Sequence, residues 1–269
     1  MRRNVPGLRT AITGEAAPGS RASIGQRKGG FNLIDGRGHG MNQRIKRLID
    51  FELFNYLIVG EVELVDSSDH DSPSVPKTKD PDFGALVLSL DFELHWGIRD
   101  KCPPDGSYRQ NLLGVRRAVP QMLDLFEEFG IAATWATVGF LFAASRQELE
   151  SFYPAVRPEY EDPVLSSYQE PVGIGEKDDP LHFAPSLIEA ICKRPHQEIG
   201  THTFSHYYCL ERGQTRAAFR SDLNSAVAIA RKYGLQLRSI VFPRNQFNPD
   251  YADLLVEVGI VCYRGNAKG

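Results

Sequence analysis

The chain has 269 residues, 42% of them hydrophobic, and a formal net charge of -3. That length and apolar share suffice for one large α/β domain with a substantial core, or for two small ones. A pI near 6.2 excludes a strongly basic protein built around nucleic acid or an anionic membrane as its main partner. Cys102, Cys192, Cys209 and Cys262 are scattered and form no Cys-x2-Cys pair. They are expected to be free thiols of a reducing compartment, which places the protein in the cytoplasm. No apolar run of signal-peptide type opens the chain. The run from 48 to 65 is interrupted by Asp50, Glu52, Glu61 and Glu63, so no membrane span is expected.

In chain order, the first fifty residues carry ten Lys/Arg against three Asp/Glu, which predicts disorder. They read as a basic arm, a transit-like leader, or sequence upstream of a start at Met41. An amphipathic helix, or a helix and a short strand, is expected over 45–65. The stretch 66–82, full of Ser, Asp, Pro and Lys, is a linker. Residues 1–82 are thus set apart from an organised domain over 83–269.

Within that domain strand-like and helix-like runs alternate. Ala85 to Leu90 is a buried strand. Asn111 to Phe129 is a helix by the spacing of Val115, Val119, Met122, Phe126 and Phe129, with Gly130 as its terminator. Ile131 to Val138 is a second strand. A long excursion from Ser145 to Pro180, rich in Pro, Glu and Tyr, has the character of a substrate-side loop that sets specificity. Pro185 starts a helix through Lys193, Glu198 to Thr201 is a third strand, and Thr215 to Tyr233 is a helix closed by Gly234. Ser239 to Phe242, a helix over Asp250 to Val258 stopped by Gly259, and a strand over Ile260 to Tyr263 complete the series. Strands separated by helices imply parallel pairing with right-handed crossovers, hence half a barrel or a doubly wound sheet. An eight-fold barrel needs more units than end at Gly269, so an open or incomplete barrel, or a fragment, is expected.

In such folds the carboxyl ends of the strands carry the chemistry. Asp91 and Glu93 follow the first strand two residues apart, which on extended backbone puts both carboxylates on one side. Adjacent carboxylates are costly to ionise together unless a cation sits between them. His202 and His206 follow the third strand; on a turn of helix they would share a face and grip one ion. Arg244 follows the fourth strand and can orient a carboxylate or a substrate oxyanion through its fork. Two His nitrogens and one carboxylate oxygen leave an open position on Zn2+ or a similar ion, as hydrolytic sites require. A second carboxylate would then serve as general base. Trp96 could stack on a sugar ring or fill the core. No second set of Asp/His ligands is evident, which argues against a two-metal phosphoesterase.

From about Phe83 onward the chain resembles the polysaccharide deacetylase family, the NodB-homology or carbohydrate esterase family 4 proteins. Ser89-Leu90-Asp91-Phe92-Glu93 matches the family's acid pair, here spaced by Phe92. His202-Thr203-Phe204-Ser205-His206 matches its histidine motif, and Pro243-Arg244-Asn245 matches its arginine turn loosely. The resemblance implies a distorted, incomplete (β/α) barrel that removes acetyl groups from N-acetylated or O-acetylated sugars using a divalent metal, Zn2+ or alternatively Co2+, Ni2+ or Mn2+. It further implies Glu93, His202 and His206 as metal ligands, Asp91 as base and Arg244 holding Asp91, with the roles of Asp91 and Glu93 open to exchange; Trp96 and Asn245, beside these motifs, are candidate substrate contacts. The family's late histidine acid has no counterpart in Ile260 to Gly269, so a catalytically incomplete homologue that binds metal or glycan without turnover is a rival expectation. A cyclic-amide hydrolase is another, because the same site chemistry opens a ring amide.

Overall fold

The computed structural model describes residues 87–264 and three short strands, Leu8–Thr10, Leu57–Ile58 and Val62–Val65. The rest of the expected 45–65 helix, the linker and the boundary at 83 lie outside the described residues.

Five strands form the parallel part of the sheet: β1 Ser89–Phe92, β2 Ala133–Thr137, β3 Gln197–Thr201, β4 Ser239–Val241 and β5 Cys262–Arg264. Each pairs in parallel with the next in sequence. A doubly wound sheet reverses its strand order at a switch point. Here the order runs without reversal, so the winding is that of a barrel, curled and incomplete. Outside β5 the strand Val62–Val65 pairs antiparallel, and Leu8–Thr10 pairs with it in turn.

Helices return the chain between strands: α1 Arg109–Phe129, α2 Arg146–Ser151, α3 Pro185–Cys192, α4 Arg216–Lys232 and α5 Ala252–Glu257. The first strand begins later than the expected Ala85: Val87 is already exposed, and β2 first takes up Leu88 through the Thr134 N–H to Leu88 C=O bond. The start and stop signals act as read. Gly130 ends α1 at φ 62°, and Pro185 occupies the first turn of α3. Thr215 caps α4, its hydroxyl accepting from the Ala218 N–H at 3.2 Å.

Val119, Leu123 and Phe126 of α1 pack with Leu187, Ile188 and Ile191 of α3 and with Trp135 and Ile199 of the sheet. Each such side chain stabilises the fold by ~2 kcal/mol of transfer free energy. A second cluster, built on Phe219, Leu223, Ile240, Leu254 and Tyr263, holds α4 and α5 against β4 and β5. Both cores leave the carboxyl ends of the strands free for polar groups. Among the described residues no helix is long and apolar enough to cross a membrane, and Cys102, Cys192, Cys209 and Cys262 are free.

Candidate metal and catalytic site

The alternation of β1 carries Ser89 and Asp91 to the side where Arg264, the last residue of β5, reaches across. Its Nη1 donates to Ser89 Oγ at 3.1 Å and to Asp91 Oδ1 at 2.9 Å, and its Nη2 donates to Asp91 Oδ2 at 3.0 Å. This is a fork-to-fork pair, both partners nearly buried. The sequence-based expectation that Arg244 holds Asp91 is therefore corrected. Arg244 takes a left-handed backbone (φ 54°) immediately after Pro243, which turns its side chain to Asp100 and over the ring of Tyr208, 4.5 Å from the centroid. Asn245 joins the pair that does form, its Oδ1 accepting from Arg264 Nη2 at 3.3 Å.

Beyond Asp91 the chain leaves the strand through a 3-10 turn, Leu94–Gly97, with Leu94 at φ 46°. That sharp exit brings Glu93 to the two histidines. Glu93 Oε2 lies 3.2 Å from His202 Nε2 and 3.0 Å from His206 Nε2. A Cβ on Gly97 would sit 2.0 Å from Glu93 Oε1, so only glycine leaves the carboxylate its place. Gly97→Ala is expected to displace that carboxylate and to weaken metal binding at least about tenfold, as competition with a chelator would show. Unchanged binding would mean that Glu93 is dispensable as a ligand.

The histidines do not share a helical face. The segment after β3 is a tight loop in which Thr203 (φ 64°) and His206 (φ 57°) adopt left-handed backbone. For a β-branched residue such as Thr203 that conformation costs energy and persists only when its surroundings impose it. They do so here. The His202 N–H extends the ladder to Thr137 C=O, the Tyr207 N–H donates to Thr203 Oγ1 at 2.6 Å, and the N–H groups of Gly139 and Phe140 donate to Thr203 and Phe204 C=O. Buried Asp222 of α4 accepts from the N–H groups of Phe204 (2.7 Å) and Ser205 (3.1 Å) and from the Ser205 hydroxyl. Part of the long excursion packs behind the same loop: Ser167 Oγ donates to Ser205 C=O at 2.6 Å, and Tyr160 Oη accepts from the Tyr208 N–H at 2.9 Å.

His202 Nδ1 lies 2.8 Å from Val241 C=O. A carbonyl only accepts, so Nδ1 carries a proton, and Nε2 is the nitrogen turned toward Glu93. His206 Nδ1 is likewise tied, 3.1 Å from Tyr208 Oη. Burial works to raise the Glu93 carboxyl, yet the hydrogen bonds and charge of both histidines hold it well below the usual carboxylate range. Three ligand atoms within 4.8 Å of one another, two of them on rings anchored at Nδ1, suit a divalent cation with nitrogen and oxygen preference.

Trp96 corrects another expectation. It is 1% exposed, donates Nε1–H to His182 C=O at 3.0 Å and meets Phe140 edge-on at 4.7 Å. Its ring belongs to the core and presents no face to a sugar.

The profile described as Polysaccharide deacetylase matches residues 105–263, more than half of the chain. The chain belongs to the polysaccharide deacetylase family. No curated protein matches it. Solved structures similar to it include IcaB from Ammonifex degensii, at 12% identity and a TM-score of 0.37 over 65% of this chain and 56% of that one. The BpsB deacetylase domain from Bordetella bronchiseptica is similar at 19% identity and a TM-score of 0.33, over 52% and 55%. A CE4 family pseudoenzyme from Bacillus anthracis is similar at 13% and 0.34, over 53% and 36%. This chain spans less than two thirds of the length of each. The family match includes the histidine loop, Asp222 and Tyr263; Asp91 and Glu93 precede it.

Sequence reasoning passed over Arg264, although the rule applied to Arg244 points to it: an arginine at the carboxyl end of an apolar strand. It also passed over a second convergence of ligand atoms, from His95, Glu170 and His182.

Proposed function

We propose that the protein is a metal-dependent hydrolase that removes acetyl groups from N-acetylated, or O-acetylated, sugars of a polysaccharide or its precursor. The observation that carries this reading is the single cluster in which Glu93 lies between the Nε2 atoms of His202 and His206. Two residues earlier, Asp91 is held by Arg264. Glu93, His202 and His206 would hold the cation, which supplies Lewis acidity toward a water and toward the acyl oxygen.

The chain's own residues do the rest. Asp91 accepts the proton of the attacking water. Arg264 fixes the plane of both Asp91 carboxylate oxygens, so that the remaining lone pairs point along set directions. The assignment of Asp91 rather than Glu93 as base rests on contacts: both histidine Nε2 atoms meet Glu93, and the guanidinium meets Asp91. Asn245, polar and next to this pair, is the candidate contact for the sugar. An acetylated carbohydrate is the partner, and the free cysteines support a cytoplasmic location.

Elemental analysis of purified protein, combined with acetate release from a panel of N-acetyl and O-acetyl sugars, tests the reading. Wild type is expected to carry a divalent metal and release acetate, and the His202→Ala/His206→Ala variant to lose both the metal of this site and the activity. Metal without acetate release from any sugar would favour the catalytically incomplete homologue. Absence of metal from the wild type would remove the proposed site altogether.

A further inference from the structure

Beneath the 3-10 turn that follows Glu93, His95 and His182 face each other with Nδ1 and Nε2 2.8 Å apart. Their outer nitrogens decide what those facing atoms are. His95 Nε2 lies 2.8 Å from the Cys102 carbonyl, which can only accept, so the His95 proton sits on Nε2. His182 Nδ1 lies 2.7 Å from Asp179 Oδ2. That carboxylate is itself fixed by the N–H groups of Gly173 (2.8 Å) and Leu181 (3.3 Å). It lies below its ordinary range, burial notwithstanding, because His182 and these N–H groups stabilise its charge. The His182 proton therefore sits on Nδ1. With those outer nitrogens engaged, both rings turn their remaining nitrogen into the same small space. The Glu170 carboxylate aims there too, with Oε1 3.6 Å from His95 Nδ1 and 3.7 Å from His182 Nε2. His95 is fully buried and His182 nearly so.

Three potential ligand atoms that converge in a buried space call for a proton or a cation among them, since buried polar groups are not normally left unpaired. A cation satisfies all three at once. The donor set of two imidazoles and a carboxylate suits Zn2+ or a similar borderline ion. Asp179 behind His182 and the Cys102 carbonyl behind His95 are the outer partners that metal-bound histidines keep.

We infer that His95, Glu170 and His182 form a second divalent-cation site, structural in role, that fastens the long excursion to the turn after β1. The three ligands come from separate segments: His95 from the turn, Glu170 from the excursion, and His182 from the stretch leading into α3. Three residues before Glu170, Ser167 holds the Ser205 carbonyl of the histidine loop, and Arg99, four residues after His95, donates to Ser167 Oγ at 3.0 Å. An ion at the second site therefore braces the loop that presents His202 and His206. The site does not depend on the proposed hydrolase activity.

The test titrates chelator-treated full-length protein with Co2+, following the visible ligand-field bands, and then with Zn2+, following the melting temperature. Wild type is expected to take two equivalents. The His202→Ala/His206→Ala variant, which removes the first site, should take one and still melt higher when the ion is added. Adding His182→Ala should abolish that remaining equivalent. Glu170→Gln on the same background keeps the shape of the side chain; it should bind more than tenfold more weakly, with the circular dichroism of the ion-free protein unchanged. If the His202→Ala/His206→Ala variant binds no Co2+ at millimolar concentration, or if Glu170→Gln binds as well as its parent, the inference is overturned and His95 and His182 share a proton instead. A wild type that takes one equivalent, lost in the His202→Ala/His206→Ala variant, would overturn the second site while leaving the first standing.

Discussion

Arg264→Met is expected to lower acetate release by about a hundredfold or more and to destabilise the fold by ~3 kcal/mol, while Arg244→Met costs far less activity. The Arg264 side chain is 4% exposed and the Asp91 side chain 13%. Removing one partner of so buried a pair leaves the other charge without compensation, which typically costs ~3–5 kcal/mol. The effect on rate follows separately, because a base displaced by about an ångström loses on the order of a hundredfold. Both losses are readable in one series. Asp91→Asn should keep its metal and lose ~10²- to 10⁴-fold in acetate release. The double variant Asp91→Asn/Arg264→Met should regain much of the stability lost by Arg264→Met, since no charge remains unpaired, and none of the activity. Arg244 ends on Asp100 and Tyr208, so its removal leaves the Asp91 carboxylate in place. Equal losses from the two arginine variants would sink the assignment.

Why the sequence led to Arg244 is a matter of backbone. Both arginines close an apolar strand, and composition cannot separate them. The difference is that Arg264 continues β5 in register, with Val241 as its partner on β4, and so points where strand alternation sends it. Arg244 has already entered a left-handed turn. The histidine pair shows the converse. The spacing His202 to His206 was legible, because four residues are enough to bring both rings to one ion in more than one way. A helix was the wrong one of those ways. The left-handed turn at Thr203 depends on Asp222 and on Thr137 and Gly139, from two distant segments, and no local signal announces it. Helix limits, by contrast, were legible wherever a residue acts on its own backbone, as Gly130, Pro185 and Thr215 do. Trp96 was misplaced for a related reason: its neighbours Phe140 and His182 come from segments that approach only in the folded chain. The cluster of His95, Glu170 and His182 was invisible to any motif search, since its members are spread over 87 residues.

Asp222→Ala is expected to destabilise the protein by ~3 kcal/mol and to weaken metal binding at least about tenfold, although the residue touches neither ligand. Its carboxylate accepts the N–H groups of Phe204 and Ser205 and the Ser205 hydroxyl. Truncation would leave those donors buried and unpaired at ~1–3 kcal/mol each, before the loop relaxes. Relaxation would itself release Thr203 from its left-handed backbone and carry His202 and His206 apart. The charge on Asp222 acts in the opposite sense. Burial pushes its carboxyl up to about 6, against the pull of its hydrogen-bond donors, from an ordinary value of 3.8. Between those two values the folded protein keeps a proton that the unfolded chain has released. The unfolded state binds fewer protons, so this residue's contribution to stability falls as pH rises from about 4 to about 6. Asp222→Asn, which cannot ionise, removes that dependence. Urea denaturation of metal-free protein across this window should show wild type losing on the order of 2 kcal/mol relative to Asp222→Asn as pH rises. A difference that grows in the other direction would mean that the loop's donors, rather than burial, control the carboxylate. In that case the charge on Asp222 would be part of what holds the histidines in place.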